Sequence, residues 1–316
     1  MRFLVTGGAG FIGHHLVGAL LAEGHDASVI DDYRTGSPER LAPFRDRIRL
    51  IEGDIRDAKA MDAAVEGAEV VLHEAALPSV ARSIIDPRLT ADINVNGTIE
   101  VMLAAARAGV RRVVLAGSSS VYGSSPVLPR REDQAPDPRS PYATSKLAAE
   151  YLVHQLGELL RVETVVLRYF NIYGPGQDPA SEYSAVVPRF ISAALRGERP
   201  LVHGDGTQSR DFTHIDNVVL ANLRAADAPA ASGLTVNIGC GGRYSLLALV
   251  GAIWSCVGST PDPLFGPPRP GDVPHSQADV TLATERLGYQ VVTPFEVGIA
   301  RTFDWYQADP LRFAHP

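Results

Sequence analysis

The chain predicts an α/β protein: a doubly wound parallel sheet followed by a smaller mixed α/β C-terminal region. Three observations predict it. Short apolar runs alternate with helical patterns through the first half, which is the rhythm of right-handed βαβ crossovers. A glycine-rich turn, Thr6-Gly7-Gly8-Ala9-Gly10-Phe11-Ile12-Gly13, follows the first run and opens the first helix. After about residue 172 the rhythm breaks into loops rich in proline and glycine and shorter elements.

The elements follow in order. Phe3 to Thr6 is the first strand, Phe11 to Leu21 the first helix, and Ala27 to Ile30 a second strand ending in Asp31-Asp32. Ile48 to Ile51, Val70 to His73, Val113 to Ala116 and Thr164 to Leu167 read as four more strands, apolar enough to be covered on both faces. Helices are expected over Thr90 to Ala108 and Pro141 to Leu160. Ser140 suits the N-cap of the second and Pro141 its first position. Farther on, Val187 to Arg196 and Ser245 to Val257 read as helices, Arg210 to Thr213 and Val236 to Gly239 as strands, and Pro261 to Pro274 as an extended loop. The expected division is residues 1–171 and 172–316, with segments near 210–240 candidates to return to the first.

Composition narrows the function. The 316 residues allow one large or two ordinary domains, and 21% charged residues is ordinary for a globular protein. A formal net charge of −7 argues against a broad nucleic-acid surface. No apolar run is long enough to span a bilayer, and the N-terminus enters a motif at once, so a cytoplasmic location is expected and no membrane partner. The two cysteines, Cys240 and Cys256, have no metal-ligand spacing, so neither a zinc site nor a disulfide framework is expected.

The glycine turn carries a specific chemistry. Gly7, Gly10 and Gly13 permit a tight turn, close approach of backbone to a pyrophosphate, and close helix–strand packing. The helix opening at Phe11 and Ile12 then offers amide donors and a favourable dipole to the anion. Asp31 and Asp32 end the second strand where a carboxylate accepts from ribose hydroxyls, and two carboxylates repel a 2′-phosphate. This favours NAD over NADP on a Rossmann-type sheet, with Arg34 nearby as the one opposing feature. Asp54 and Ile55 are expected to flank the adenine, and Glu74, Ala75 and Ala76 to approach the cofactor.

Tyr142 and Lys146 stand four residues apart, on one face of the predicted helix. A phenol is a poor base near neutrality because its ordinary pKa is about 10. A neighbouring ammonium favours the phenolate, and a nicotinamide cation pushes the same way.

These segments together resemble the extended short-chain dehydrogenase/reductase family, and within it the NAD-dependent nucleotide-sugar epimerases and dehydratases. The resemblance covers nearly the whole chain. It runs through Thr6 to Gly13, Asp54-Ile55, Ala75-Ala76, Asn94 to Thr98, Ser118 to Gly123, Tyr142 with Lys146, Arg168 to Asn171, Gly204 to Phe212 and Arg269 to Val273. It implies that Ser118 hydrogen-bonds the sugar hydroxyl, Tyr142 takes its proton, and Lys146 holds the nicotinamide ribose. It implies Arg210 and Arg269 as diphosphate ligands, Asn171 as a nucleotide-sugar contact, Val187, Leu201 and His203 beside the nucleotide, and Asp272 near its ribose. Homodimerisation through the Thr90 and Pro141 helices is implied as well.

Within that family, dehydratases carry acid–base residues just after the catalytic hydroxyl, where this chain has Ser119 and Ser120. That favours C4 epimerisation of a UDP-sugar through a transient 4-keto species. Ser276 falls where epimerases restricted to unsubstituted hexoses carry an aromatic ring, leaving room for a 2-acetamido group as in UDP-GlcNAc/UDP-GalNAc, with UDP-Glc/UDP-Gal second. UDP-glucuronate epimerases carry an arginine in the loop matching Gly174 to Pro179, where this chain has Asp178; Arg82 or Arg189 are candidate substitutes. A dehydratase is a further alternative. A non-catalytic NAD-sensing regulator is the reading from another class, opposed by the intact Ser118, Tyr142 and Lys146.

Overall fold

The computed structural model describes residues 1–178, 186–268 and 273–309. Seven parallel strands form the central sheet: β1 (Arg2–Thr6), β2 (Asp26–Asp31), β3 (Ile48–Glu52), β4 (Val70–His73), β5 (Arg112–Ser118), β6 (Glu163–Tyr169) and β7 (Leu234–Ile238), in the order β7-β6-β5-β4-β1-β2-β3. The order reverses between β1 and β4, and such a switch point opens a crevice at the carboxyl ends of the strands.

Alternation along the strands feeds two cores. Phe3 and Val5 of β1 point to one face and Leu4 to the other, as a two-residue period requires. The first face is covered by α1 (Phe11–Ala22) and by α5 (Ile215–Asp227), through Leu16, Leu20, Val218 and Ala221. The second is covered by α2 (Ala58–Val65), α3 (Gly97–Arg107) and α4 (Pro141–Leu160), through Met61, Val101, Met102 and Val153. Burying apolar strands on both sides explains why they read as continuous hydrophobic runs.

Helix α4 runs the full predicted span. The Ser140 side chain accepts from the Ala143 amide, Pro141 occupies the first turn, and Arg161 caps the end in a left-handed conformation. A smaller lobe packs around Val187, Phe190, Phe212, Leu249, Trp254, Phe295 and Phe303.

Three expectations are corrected. The run from Thr90 to Ala108 is not one regular helix: a short helix, Pro87–Ala91, enters a π-helical turn, Asp92–Asn96, before α3. The turn places Asn94 to grip both backbone groups of Leu77 and the Ser145 hydroxyl of α4. Arg210 to Thr213 is not one strand but two short pairings, Ser209–Arg210 and Thr213–His214. Between them the Asp211 carboxylate turns inward to accept the amides of Cys240, Gly241 and Ala278. The proline-rich stretch is not loop throughout, because Leu264–Gly266 pairs in parallel with Leu201–His203. The late strand β7 pairs with β6, Val236 opposite Leu167, as an edge strand of the central sheet.

Candidate active site

Ser118 ends β5, and its Oγ caps the next turn by accepting the Ser120 amide at 3.2 Å. The same Oγ shares a 2.8 Å hydrogen bond with Ser120 Oγ. Tyr142, in the first turn of α4, lies close enough to Ser118 for that hydroxyl to favour its ionised form, so the two residues come together across the β5–α4 corner. Lys146 lies one turn farther along and is 5% exposed. This places a hydroxyl, a phenol and an ammonium at the carboxyl edge of the sheet.

Burial raises the Tyr142 phenol above its ordinary value, and the Ser118 hydroxyl acts against it. In the protein alone the phenol is therefore raised, against the lowering expected from Lys146. Burial brings Lys146 itself down to about 8, opposed by the carboxyls of Glu74 and then Glu150.

The glycine turn fits a pyrophosphate. Gly7 has φ of +69°, and a Cβ there would sit 2.8 Å from the Ala75 Cα. A Cβ on Gly13 would run into the Gly7 carbonyl. The N-cap of α1 is Gly10 with no side-chain cap, so the Phe11 and Ile12 turn opens without a competing side-chain acceptor. Asp31 is buried, and its two oxygens accept the Ala9 and Tyr33 amides at 2.8 Å each, tying the glycine turn to the end of β2. Burial raises the Asp31 carboxyl, while those two backbone hydrogen bonds lower it. Arg34 does not stand free beside them: it bonds to Asp32 at 3.2 Å and approaches Asp54 at 3.7 Å. Asp54 is bound by Arg56, and Ile55 packs in the core beside Gly97. A guanidinium so engaged with carboxylates is not offered to a 2′-phosphate.

On the other side of the crevice Asn171 holds a left-handed φ of +33°. Non-glycine residues rarely adopt this, and such strain clusters at ligand sites. Its Nδ2 donates to the Asp211 carbonyl at 3.2 Å. Arg210 is half-buried and donates to the Ser209 and Pro274 carbonyls, holding the 273–276 segment. Ser276 is half-buried and its amide donates to Ser209. Leu201 is exposed, the His203 ring bonds to the Pro267 carbonyl, and Val187 lies in the core of the smaller lobe. Arg269 and Asp272 lie outside the described residues.

Sequence reading missed several residues that shape this crevice. Arg40 donates to the Ala9 carbonyl at 3.3 Å and to the Gly176 carbonyl at 2.9 Å, and His15 bonds to the Pro175 carbonyl, so the loop after Tyr173 is fastened to the start of α1. Nothing local signals contacts between residues so far apart in the chain. Glu150 did carry a signal, since it repeats the four-residue step of Tyr142 and Lys146. Both its oxygens bind Arg168, which also donates to the Tyr122 hydroxyl at 2.8 Å.

The profile of the NAD dependent epimerase/dehydratase family matches residues 3–239. The chain belongs to that family. Its members include close relatives of this protein. A UDP-glucose 4-epimerase from Mycolicibacterium smegmatis is 41% identical over 311 residues, spanning 97% of this chain and 99% of the relative. Among solved structures, the UDP-N-acetylglucosamine 4-epimerase of Methanobrevibacter ruminantium M1, in complex with UDP-N-acetylmuramic acid, superimposes with a TM-score of 0.92 at 33% identity, covering 97% of this chain and 98% of that one. The UDP-glucuronic acid 4-epimerase of Bacillus cereus, in complex with UDP-glucuronic acid and NAD, gives 0.89 at 29% identity, covering 98% and 99%. The protein is an NAD-dependent enzyme of the nucleotide-sugar 4-epimerase kind. NAD, when bound, supplies the hydride acceptor and a cationic ring. The glycine turn, the α1 N-terminus and the carboxylates around β2 are the groups of this family member suited to hold it.

Proposed function

We propose that this enzyme inverts the C4 configuration of a UDP-sugar, with UDP-GlcNAc and UDP-GalNAc as the preferred pair and UDP-Glc and UDP-Gal as the second. In this reading Ser118 orients the C4 hydroxyl and Tyr142 takes its proton as the C4 hydride leaves. After the keto sugar has turned over, the hydride comes back to the other face of C4 and Tyr142 returns the proton to the oxygen. Lys146 holds the ribose of the cofactor, and Asn171, Val187, Leu201, His203, Arg210, Arg269, Asp272 and Ser276 hold the nucleotide-sugar.

What carries the reading is the Ser118 hydroxyl acting on the Tyr142 phenol, with two further hydroxyls and no carboxyl following at Ser119 and Ser120. A hydroxyl is a poor acid and a poor base at neutral pH, so this stretch offers no group to expel water from the 4-keto sugar. Ser276, half-buried and small, favours an acetamido substituent.

UDP-glucuronate remains the second reading because of one observation. The Asp178 carboxylate acts on the Arg40 guanidinium, so its charge is partly balanced and repels a C6 carboxylate less than the sequence alone suggests. A homodimer is part of the same proposal. Tyr151 and Leu159 of α4 are 51% and 77% exposed, which leaves large apolar surface on a helix for a second copy to cover. A cytoplasmic location belongs to it too; among the described residues no helix is long and apolar enough to cross a membrane.

Proton NMR of the enzyme with a panel of UDP-sugars tests the function. Interconversion of UDP-GlcNAc and UDP-GalNAc supports it. Accumulation of a 4-keto or unsaturated product overturns the epimerase reading, and turnover of UDP-glucuronate alone overturns the choice of sugar.

A further inference from the structure

Three consecutive carbonyls in the loop after Tyr173 are each held by a different part of the chain. The Pro175 carbonyl accepts from His15 Nε2 on α1 at 2.8 Å. The Gly176 carbonyl accepts from one nitrogen of the Arg40 guanidinium at 2.9 Å, out of the helical segment Pro38–Arg47. The Gln177 carbonyl accepts from the Tyr306 hydroxyl on the last helix, Phe295–Gln307. His15 and Arg40 belong to the cofactor side of the crevice, whereas Tyr306 is fully buried in the core of the smaller lobe.

The loop lies tight on α1 because residue 176 is glycine. Its φ is +81°, and a Cβ there would stand 2.9 Å from the His14 ring. The loop also closes on itself, with Gln177 Nε2 donating to the Ile172 carbonyl at 3.3 Å. Just ahead of it, the Tyr173 hydroxyl donates to the Phe295 carbonyl at 3.0 Å. A segment tied in this way moves with the groups that hold it.

Arg40 reaches farthest. Its other terminal nitrogen donates to the Ala9 carbonyl at 3.3 Å, inside the glycine turn. That carbonyl also accepts the Ser37 amide at 3.0 Å, and the Ala9 amide is bound by the buried Asp31. One guanidinium thus spans the glycine turn and the loop that follows the strained Asn171. A planar fork with separate nitrogens suits two carbonyls at once, and donors that carry charge make the stronger hydrogen bonds.

We propose that Arg40 is a positioning residue that couples the two halves of the site. A cofactor seated in the glycine turn fixes Ala9, Ala9 fixes the guanidinium, and the guanidinium holds the loop beside Asn171 where the nucleotide-sugar binds. The proposal rests on the reading of the turn as the pyrophosphate cradle and of Asn171 as a nucleotide-sugar contact. A contiguous hydrogen-bonded chain is a physical route for such coupling. Coupling between two sites is reciprocal, so UDP tightens NADH by the same factor as NADH tightens UDP.

The test titrates NADH, by its fluorescence, into NAD-free wild type, Arg40→Met and Tyr306→Phe, each without and with saturating UDP. In the wild type UDP is expected to tighten NADH about tenfold. Arg40→Met loses the bond to the turn as well, so NADH alone binds more weakly, and the response to UDP falls to about twofold or less. Tyr306→Phe removes a bond that does not touch the turn, so NADH alone binds as in the wild type while the response to UDP shrinks. A merely structural defect weakens each ligand and leaves the ratio of the two NADH affinities unchanged. A ratio in Arg40→Met equal to that of the wild type overturns the proposal, and so does a wild type that binds UDP with no effect on NADH. If Arg40→Met does not fold, the ratio in Tyr306→Phe decides by the same criterion. Absence of any UDP binding to the wild type, read by isothermal titration, sinks the UDP-sugar reading itself and is thereby distinct from a failure of the coupling.

Discussion

Glu150 lies one helical turn beyond Lys146 and is held by Arg168 through hydrogen bonds of 3.0 and 2.5 Å. Both residues are buried. The pair fixes α4 to β6, and through Tyr122, whose hydroxyl donates to Asn237 at 2.6 Å, it also fixes the turn after β5 to β7. Ser118 on β5 and Tyr142 on α4 therefore share one buried polar anchor. Removing one partner leaves a charge buried alone. Arg168→Met is expected to lower stability by about 3–5 kcal/mol, read as a lower denaturation midpoint in urea. A midpoint within error of the wild type would show that the anchor is not structural.

Tyr142→Phe keeps the ring and removes the proton acceptor. It is expected to lower kcat by about 10²–10⁴-fold, with the melting temperature and NADH binding close to wild type. Retained turnover would remove Tyr142 from the chemistry and reopen the reading of the chain as a non-catalytic NAD-binding regulator.

Gly13→Ala inserts a methyl group against the Gly7 carbonyl. The turn must move, so NAD affinity is expected to fall by about 10–100-fold, the equivalent of about 1–3 kcal/mol of overpacking. Isothermal titration with NAD checks this. An affinity equal to that of the wild type would mean that the turn is not the pyrophosphate cradle.

Ser276→Tyr closes the space assigned to a 2-acetamido group. The expected result is a loss of about 10–100-fold in kcat/KM for UDP-GlcNAc, with UDP-Glc affected far less. Equal losses on both sugars would place Ser276 away from C2.

Asp211 provides a pH dependence of stability. Burial raises its carboxyl from 3.8 to about 6, against three backbone hydrogen bonds. Between pH 4 and 6 the folded protein thus binds more protons at this site than the unfolded chain. Stability from this group is complete below about pH 4 and is lost as pH rises toward 6, by roughly 3 kcal/mol. Denaturant titrations at steps through this window should show that fall in the wild type and a flatter profile in Asp211→Asn.

Much of the first half was legible in the sequence because its signals are local. Val70 to His73 is a strand over the residues expected, and α4 runs from Pro141 to Leu160 because Ser140 and Pro141 set its start by a hydrogen bond and a backbone angle within three residues. The segments that differed are those where a side chain reaches out of its own element. Asn94 turns the helix near Thr90 to reach Leu77 and Ser145, and Asp211 splits a strand to gather three distant amides.

The sequence by itself determined the α/β order, the glycine turn and the spacing of Tyr142 and Lys146, since each follows from steric and hydrogen-bonding rules acting over a few residues. Only the tertiary structure decided what those residues face. It brought Ser118 beside Tyr142, fastened the loop after Tyr173 to α1 through His15, and bonded Glu74 to Tyr169. Charge states depend on burial and on neighbours brought together by packing, and a linear pattern carries neither.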